Sequence, residues 1–311
     1  MWFKNIQVFR FTKPFDMDEN ALHDQLAEQA FTPCGSQDVS RTGWVRPIPG
    51  NEKHGQDGLF LHSSNGFQML AAKRQDKVLP AAVVNEQVQE KVDDIEAEQG
   101  RKVGRKERQE IKDEMIFSLL PRAFVRSRIQ HGYLDNKRQM LVVNSASAKG
   151  GEEFCEGLRA AVGSLPVIPL TTMDTPAQVM TSWLLSGNAP EGFELGTECE
   201  LRDPSDEGGV IRCKNQLLTA DEIRNHIQAG MYVSKIELVS KSGISCLVDD
   251  KFTIKRIRYG DMIQDKADEV YTSDATERFD VDFSIMTLEL AELINGLLAA
   301  FGGENTGGLG E

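Results

Sequence analysis

The sequence predicts an α+β protein of mixed strands and helices with a projecting helical arm. Three observations support this. Apolar residues alternate at strand spacing, with turn signals, near both ends of the chain. A long helical period with few apolar positions occupies the stretch between residues 84 and 120. Strands and helices otherwise follow one another irregularly, without a solenoid repeat.

In order along the chain, "MWFKNIQVFRF" spaces Trp2, Ile6, Val8 and Phe11 as a half-buried strand. Asp16 and Glu19 form a capping-box pattern ahead of a short helix carrying Leu22, Leu26 and Ala30. "TPCGSQD" is a turn cluster, and "GLFLHSSNGFQMLAAKR" reads as a hairpin bent at Ser-Asn-Gly. Val84, Val88, Val92 and Ile95 share one helical stripe, which Gly100 and Gly104 interrupt. A second helix carries Ile111, Met115, Phe117, Leu119 and Leu120 and stops at Pro121. The two helices predict an antiparallel arm, polar on most faces. "QMLVVNSAS", "EEFCEGLRAAVG" and "LPVIPL" then make a β-α-β element.

Thr175-Pro176-Ala177-Gln178 marks a helix start, with Val179, Met180, Trp183 and Leu184 as the buried face and Gly187 as the stop. Thr219 to Glu222 repeats the capping box, ahead of a stop at Gly230. "MYVSKIELVSKSGISCLVDDKFTIKRIRY" predicts a three-stranded meander, and Met286 to Leu298 a last amphipathic helix. The expected divisions are an N-terminal region over 1–80, the arm over 81–120, the β-α-β element over 121–170, a C-terminal α+β region over 171–301 and a disordered tail over 302–311.

The chain has 311 residues, 40% hydrophobic and 27% charged, enough for two or three packing units. No uninterrupted apolar run approaches the roughly 18 residues of a membrane span, and the N-terminus reads as a strand and not as a leader. A cytoplasmic protein without a membrane partner is expected. The five cysteines are odd in number and never paired as C-x-x-C, so free packing thiols are expected. The five histidines show no ligand spacing, and neither a metal nor a cofactor is expected.

The formal net charge is −13, but it is unevenly distributed. Residues 101–150 carry twelve Lys/Arg against five Asp/Glu, whereas every other part of the chain is acidic. A polyanion responds to the field within about one Debye length, roughly 8–10 Å, and not to the global sum. The segment "RKVGRKERQEIKDEMIFSLLPRAFVRSR" supplies Arg101, Lys102, Arg105, Lys106, Arg108, Lys112, Arg122, Arg126 and Arg128 as candidate phosphate contacts. A solvated helix with its own ion pairs is the alternative, because Glu107, Glu110, Asp113 and Glu114 lie among the cations. No helix-turn-helix, zinc-finger or single-strand stacking pattern appears, so any nucleic-acid binding would read backbone charge.

Catalytic patterns are weak. "NSASAKGGEEF" lacks the order of a phosphate-binding loop and reads as a helix entry. Glu237, Asp249, Asp250 and Lys251 could imitate a metal-dependent nuclease site, although a hairpin turn would place the two aspartates in solvent. A protein-only adaptor with an acidic C-terminal half is a further alternative.

Several stretches together resemble the bacterial recombination-associated RdgC family. They are "WFKN" at Trp2, "AFTPCGSQD" at Ala30, "LLPRAF" at Leu119, "SASAK" at Ser145, "GSLPV" at Gly163, "GGVIR" at Gly208, "RFDVDF" at Arg278 and "LELAELI" at Leu288. Their order and spacing hold from end to end. The resemblance implies sequence-independent binding of DNA, mainly duplex, by a homodimer closed into a ring with a basic inner surface. It further implies that the protein limits RecA by competing for DNA, that it acts in recombination and replication-fork repair at the nucleoid, and that it has no catalytic activity. Phe124 would form a hydrophobic joint between subunits, with Leu119 and Leu120 beside it. A second joint would use the family's Lys-Gln pair. Gln216 matches its glutamine, Asn215 stands where the family has lysine, and Lys214 lies one residue earlier. Lys214 and Gln216 also join the candidate DNA contacts.

Overall fold

A computed structural model describes residues 2–48, 58–205, 208–269 and 274–307. The described residues form two antiparallel sheets and eight helices. The first sheet is built from β1 (Gln7–Phe11), β2 (Ser40–Val45), β3 (Leu61–Ser64), β4 (Phe67–Val78), β5 (Phe124–Asp135), β6 (Met140–Val143) and β7 (Val167–Pro169). Its order is β2-β4-β5-β6-β1-β7, with β3 paired to β4. The strands of 1–80 and of 121–170 therefore share one sheet and are not separate layers. The β-α-β element straddles β1: β6 and β7 both pair with β1, and α4 (Ala148–Val162) links them. The β3–β4 hairpin turns at Asn65 and Gly66, whose φ angles of 52° and 83° are the left-handed pair that a two-residue hairpin needs.

β4 and β5 pair over twelve positions, from Phe67 opposite Asp135 to Val78 opposite Phe124. The inner half of this ribbon is core and the outer half is not. Phe67, Met69, Leu70, Tyr133 and Leu134 are buried, whereas Phe124 to Ile129 are exposed. The helical arm grows from the outer end. It consists of α2 (Ala81–Gln99), a turn at 100–104 and α3 (Arg105–Leu119), and it returns through a 3₁₀ turn over Leu120–Arg122. Gly100, at φ 64°, ends α2 in the left-handed conformation. The arm has its own small core of Val84, Val88, Val92 and Ile111, separate from the core of the body. Lys77 fastens the root, donating from Nζ to the carbonyls of Ser36 at 2.9 Å and Leu120 at 2.7 Å.

Helix α1 (Glu19–Glu28) and α4 cover one face of the first sheet through Leu22, Leu26, Phe154 and Leu158. After α5 (Pro176–Ser186) comes the second sheet of β8 (Phe193–Arg202), β9 (Val210–Cys213), β10 (Tyr232–Ser240), β11 (Ser245–Asp249) and β12 (Ile254–Arg258), ordered β12-β11-β10-β8-β9. Helices α6 (Asp221–Gln228), α7 (Asp261–Glu269) and α8 (Ala275–Ala300) complete the fold. One continuous core joins Phe3, Met69 and Tyr133 of the first half to Val233, Ile236, Phe283 and Leu290 of the second. By length and composition α8 could cross a membrane, but half of its most apolar stretch is buried, including Phe283, Leu290 and Leu297. All five cysteines are free.

Four expectations need correction. The cap of α1 is Asp18, whose carboxylate accepts from the N–H groups of Asn20 and Ala21, and not Asp16. Helix α6 is capped by Ala220 without a side-chain bond, so the Thr219 capping box does not form. Helix α8 starts at Ala275 and not near Met286, because its first turns bury Phe279 and Phe283. The start of the tail is tied down: Thr172 bridges to Glu304, Asn305 donates from its N–H to the Thr171 carbonyl at 2.9 Å, and Arg10 pairs with Glu304. The expected disorder over 308–311 lies outside the described residues.

Candidate functional site

The basic residues divide between the arm and the outer ribbon. α3 is fifteen residues long, or about 22 Å at 1.5 Å per residue. At about 100° per residue, Arg105, Arg108 and Lys112 fall within an arc of about 60°, with Glu110 and Glu114 on the opposite side and Lys106 and Asp113 between the two groups. These three cations flank the apolar stripe of Ile111, Met115, Ile116 and Leu119 that packs in the arm core. At the tip, Arg101 donates through both terminal nitrogens to Glu107, at 2.6 and 2.7 Å. Lys102 pairs with Glu96 at 2.9 Å, and Lys106 approaches Glu110 at 3.9 Å. Arg108 donates to the Gln89 amide oxygen at 2.8 Å. The Glu96 carboxyl is held low first by the Val103 N–H and then by Lys102, and the Glu107 carboxyl is held low by Arg101. Among the described residues, Arg105, Lys112, Arg122 and Arg126 make no ion pair.

The intrahelical alternative is therefore realised only in part. The Lys102 and Lys106 pairs are weak competitors. The Lys102 and Lys106 side chains are 93% and 94% exposed, and ion pairs so open to water are strongly screened, so a phosphate can compete with the carboxylate for the cation.

On the ribbon, alternation places Phe124, Arg126 and Arg128 on one face of β5. The register sets Arg128 opposite Arg74 and Arg126 opposite Asp76. Glu153 on α4 gathers Arg74 at 3.7 Å, Arg128 at 3.6 Å and Lys149 at 4.0 Å. Three cations around one carboxylate leave local positive charge at the root of the arm, even after Arg74 pairs with Asp76 at 2.7 Å.

Phe124 is 86% exposed, the largest value among the exposed apolar side chains, with Val125, Ile129, Val78 and Phe117 also in solvent. The residues expected beside it are less exposed. Leu120 is 4% exposed at the turn that Lys77 fastens, and Leu119 is half-buried against the arm core. Neither offers a free face as Phe124 does. Lys214 and Gln216 are exposed just beyond β9, away from the arm in sequence, where the Gln216 N–H donates to the Thr197 carbonyl. Asn215 between them has φ 52°, a left-handed conformation that asparagine tolerates better than lysine.

A second basic cluster was not legible in the sequence. Glu200, 4% exposed on β8, receives Lys235 at 2.8 Å, Arg212 at 2.9 Å, Arg202 at 3.0 Å and the Ser234 hydroxyl at 3.0 Å. Burial pushes its carboxyl up, but the hydrogen bonds from Lys235, Arg212, Ser234 and Arg202 outweigh this and hold it at about 2. The stabilisation is therefore present above the unfolded value of about 4.3 and is lost as pH falls through about 2. Glu200→Gln is expected to cost about 1.5–3 kcal/mol, read from the urea midpoint at neutral pH, with the gap to the parent narrowing as the medium is acidified. A constant gap at every pH would contradict this ionic role.

Two of the three carboxylates of the nuclease alternative are already engaged. Asp249 pairs with Lys255 at 2.9 Å and accepts from the N–H groups of Lys251 and Thr253. Glu237 accepts from the Thr197 N–H and hydroxyl. Burial and then Asp249 push the Asp250 carboxyl up. Among the described residues no group of three or more His, Cys, Asp or Glu could hold a metal ion. "SASAK" is a helix entry: Ser147 caps α4 by accepting from the Gly150 N–H, and the Ser145 hydroxyl donates to the Ser147 carbonyl.

Comparison with known proteins covers all of these elements at once. A family model described as "Putative exonuclease, RdgC" matches residues 1–304. Proteins named "Recombination-associated protein RdgC" are similar along almost their whole length. That of Edwardsiella ictaluri is 43% identical over 305 residues, 98% of this chain and 99% of the relative. That of Aeromonas hydrophila is 42% identical over 305 residues, with the same two coverages. That of Psychromonas ingrahamii is 40% identical over 307 residues, 98% and 100% of the two chains. A match that runs from β1 past the end of α8, through arm, ribbon and both sheets, is a match of the whole fold, and the chain belongs to the RdgC family.

Proposed function

We propose that this protein binds DNA without reading its sequence and acts in recombination. The supporting observation is the run of cations from the arm to the outer ribbon of an otherwise acidic chain, with Arg105, Arg122 and Arg126 exposed and, like the half-buried Lys112, free of ion pairs among the described residues. Phosphate contacts of this kind position a duplex but carry no base readout. The relatives' name, recombination-associated, fits such a role.

In the finer form of the proposal, two copies join through Phe124, and through a second contact at Lys214 and Gln216, into a ring around mainly duplex DNA at the nucleoid. The ring limits RecA by occupying the same DNA. An exposed phenylalanine at the end of a ribbon suits such a joint. A second reading, exonuclease activity, is favoured by the family model's description. One experiment separates the two. Two unrelated duplexes of equal length are incubated with the protein at low salt, with and without Mg²⁺. Equal retention of both, intact, is expected. Mg²⁺-dependent shortening abolished by Asp250→Ala would favour the nuclease, and no retention of either duplex would overturn DNA binding.

A further inference from the structure

A cavity outside the arm carries a different chemistry. The segment before β1 runs along β12: Ile6 bridges to Ile254, the Ile257 N–H donates to the Lys4 carbonyl at 2.8 Å, and the Tyr259 hydroxyl donates to the Phe3 carbonyl at 3.0 Å. This pairing brings Trp2 against Tyr259, with ring centroids 4.6 Å apart and planes inclined at 59°. Beside the pair opens a cavity of about 580 Å³, lined by Trp2, Lys4, Arg258, Tyr259 and Gln264 together with Arg278. Its volume lies in the range of small-molecule sites, about 300–1,000 Å³.

Its walls combine an aromatic face with cations and one carboxylate, that of Asp268. Tyr259 lines the cavity, 8% exposed and with its hydroxyl already engaged. Trp2, half-buried, lines it too. Lys4 and Arg258 are exposed, and neither makes an ion pair among the described residues. Arg278 is anchored by Asp268 at 2.5 Å and Asp282 at 3.5 Å, so it serves as wall and not as a free cation. The Gln264 side-chain amide donates to the Tyr259 carbonyl at 2.7 Å, which fixes the side chain and leaves its own oxygen as an acceptor. A flat ring with a fixed acceptor and two free cations matches a base carrying a phosphate: bases of any kind stack on aromatic faces, and guanidinium and ammonium groups hold the phosphate.

We propose that this cavity takes one unpaired nucleotide, its base against Trp2 and its phosphate held by Lys4 and Arg258. The proposal deepens the DNA-binding reading and rests on it where the nucleotide belongs to a strand end; a free nucleotide would present the same chemistry. Two probes separate these sources: deoxyadenosine monophosphate, and a blunt duplex compared with the same duplex bearing a short single-stranded adenine tail. With the full chain, the tail is expected to tighten binding by about tenfold, the scale of one stacked base. Trp2→Ala should remove that increment and leave blunt-duplex binding unchanged. Trp2 also packs on Tyr259, so two milder variants accompany it. Trp2→Leu keeps apolar bulk but offers no stacking face, and Arg258→Gln alters only an exposed cation.

A tail increment lost in these variants assigns the cavity to strand ends. Monophosphate binding lost in them, without a tail increment, assigns it to free nucleotides. If both probes bind the variants and the parent alike, the proposal is overturned. Failure of the DNA-binding reading would appear separately, as loss of blunt-duplex binding by the parent.

Discussion

Phe124→Asp is expected to leave a folded monomer that no longer self-associates. The side chain is 86% exposed, so the monomer loses almost no packing when it is replaced. Covering one such ring contributes about 1.5–3 kcal/mol, and a two-fold joint uses it twice, so losing both copies weakens association by about a hundred- to ten-thousandfold. A carboxylate placed in an apolar joint adds a desolvation penalty in the same direction. Sedimentation should show the shift to monomer, with an unchanged circular dichroism spectrum. Leu120→Asp should behave differently, because Leu120 is buried at the arm root and its replacement disturbs the fold itself. If Phe124→Asp sediments as the parent does, the joint lies elsewhere.

Combined replacement of Arg105, Arg122 and Arg126 by alanine is expected to produce the largest loss of duplex affinity. These three make no ion pair among the described residues, so their removal leaves no carboxylate uncompensated. Each neutralised phosphate releases counterions worth about eightfold in affinity at 0.1 M salt, and the three phosphates of one protomer give about 500-fold. Filter retention at that salt measures this. Replacing Arg101 instead would expose Glu107, which it now holds at 2.6 Å, and would add a new repulsion to the missing cation.

The sequence made much of the arm legible because its apolar residues serve each other alone. Val84, Val88 and Val92 recur at helical spacing, and Ile111 meets them from the return helix. The β3–β4 hairpin is equally plain, since Asn65-Gly66 supplies the positive φ angles. Leu120 reads in the sequence only as the last apolar residue of the second arm helix, and the resemblance sets it beside the subunit joint. The 3₁₀ turn at Pro121 instead folds it inward, and Lys77 holds its carbonyl, an interaction across 43 residues that no local pattern reveals. The Glu200 cluster is hidden for a related reason. Glu200, Arg212 and Lys235 meet only through the cross-strand register of β8, β9 and β10, in a stretch whose summed charge is acidic. The cavity at Trp2 likewise depends on pairing between the chain's beginning and β12.

The salt dependence of duplex binding tests most directly whether the arm and ribbon cations engage phosphates. For the parent, log K should fall steeply and linearly with log salt concentration. In the Arg105, Arg122 and Arg126 alanine variant the slope should shrink by about 0.9 for each phosphate no longer neutralised, about 3 in all for one protomer. Parallel lines for parent and variant would show that these residues touch no phosphate and that the basic segment serves some other purpose.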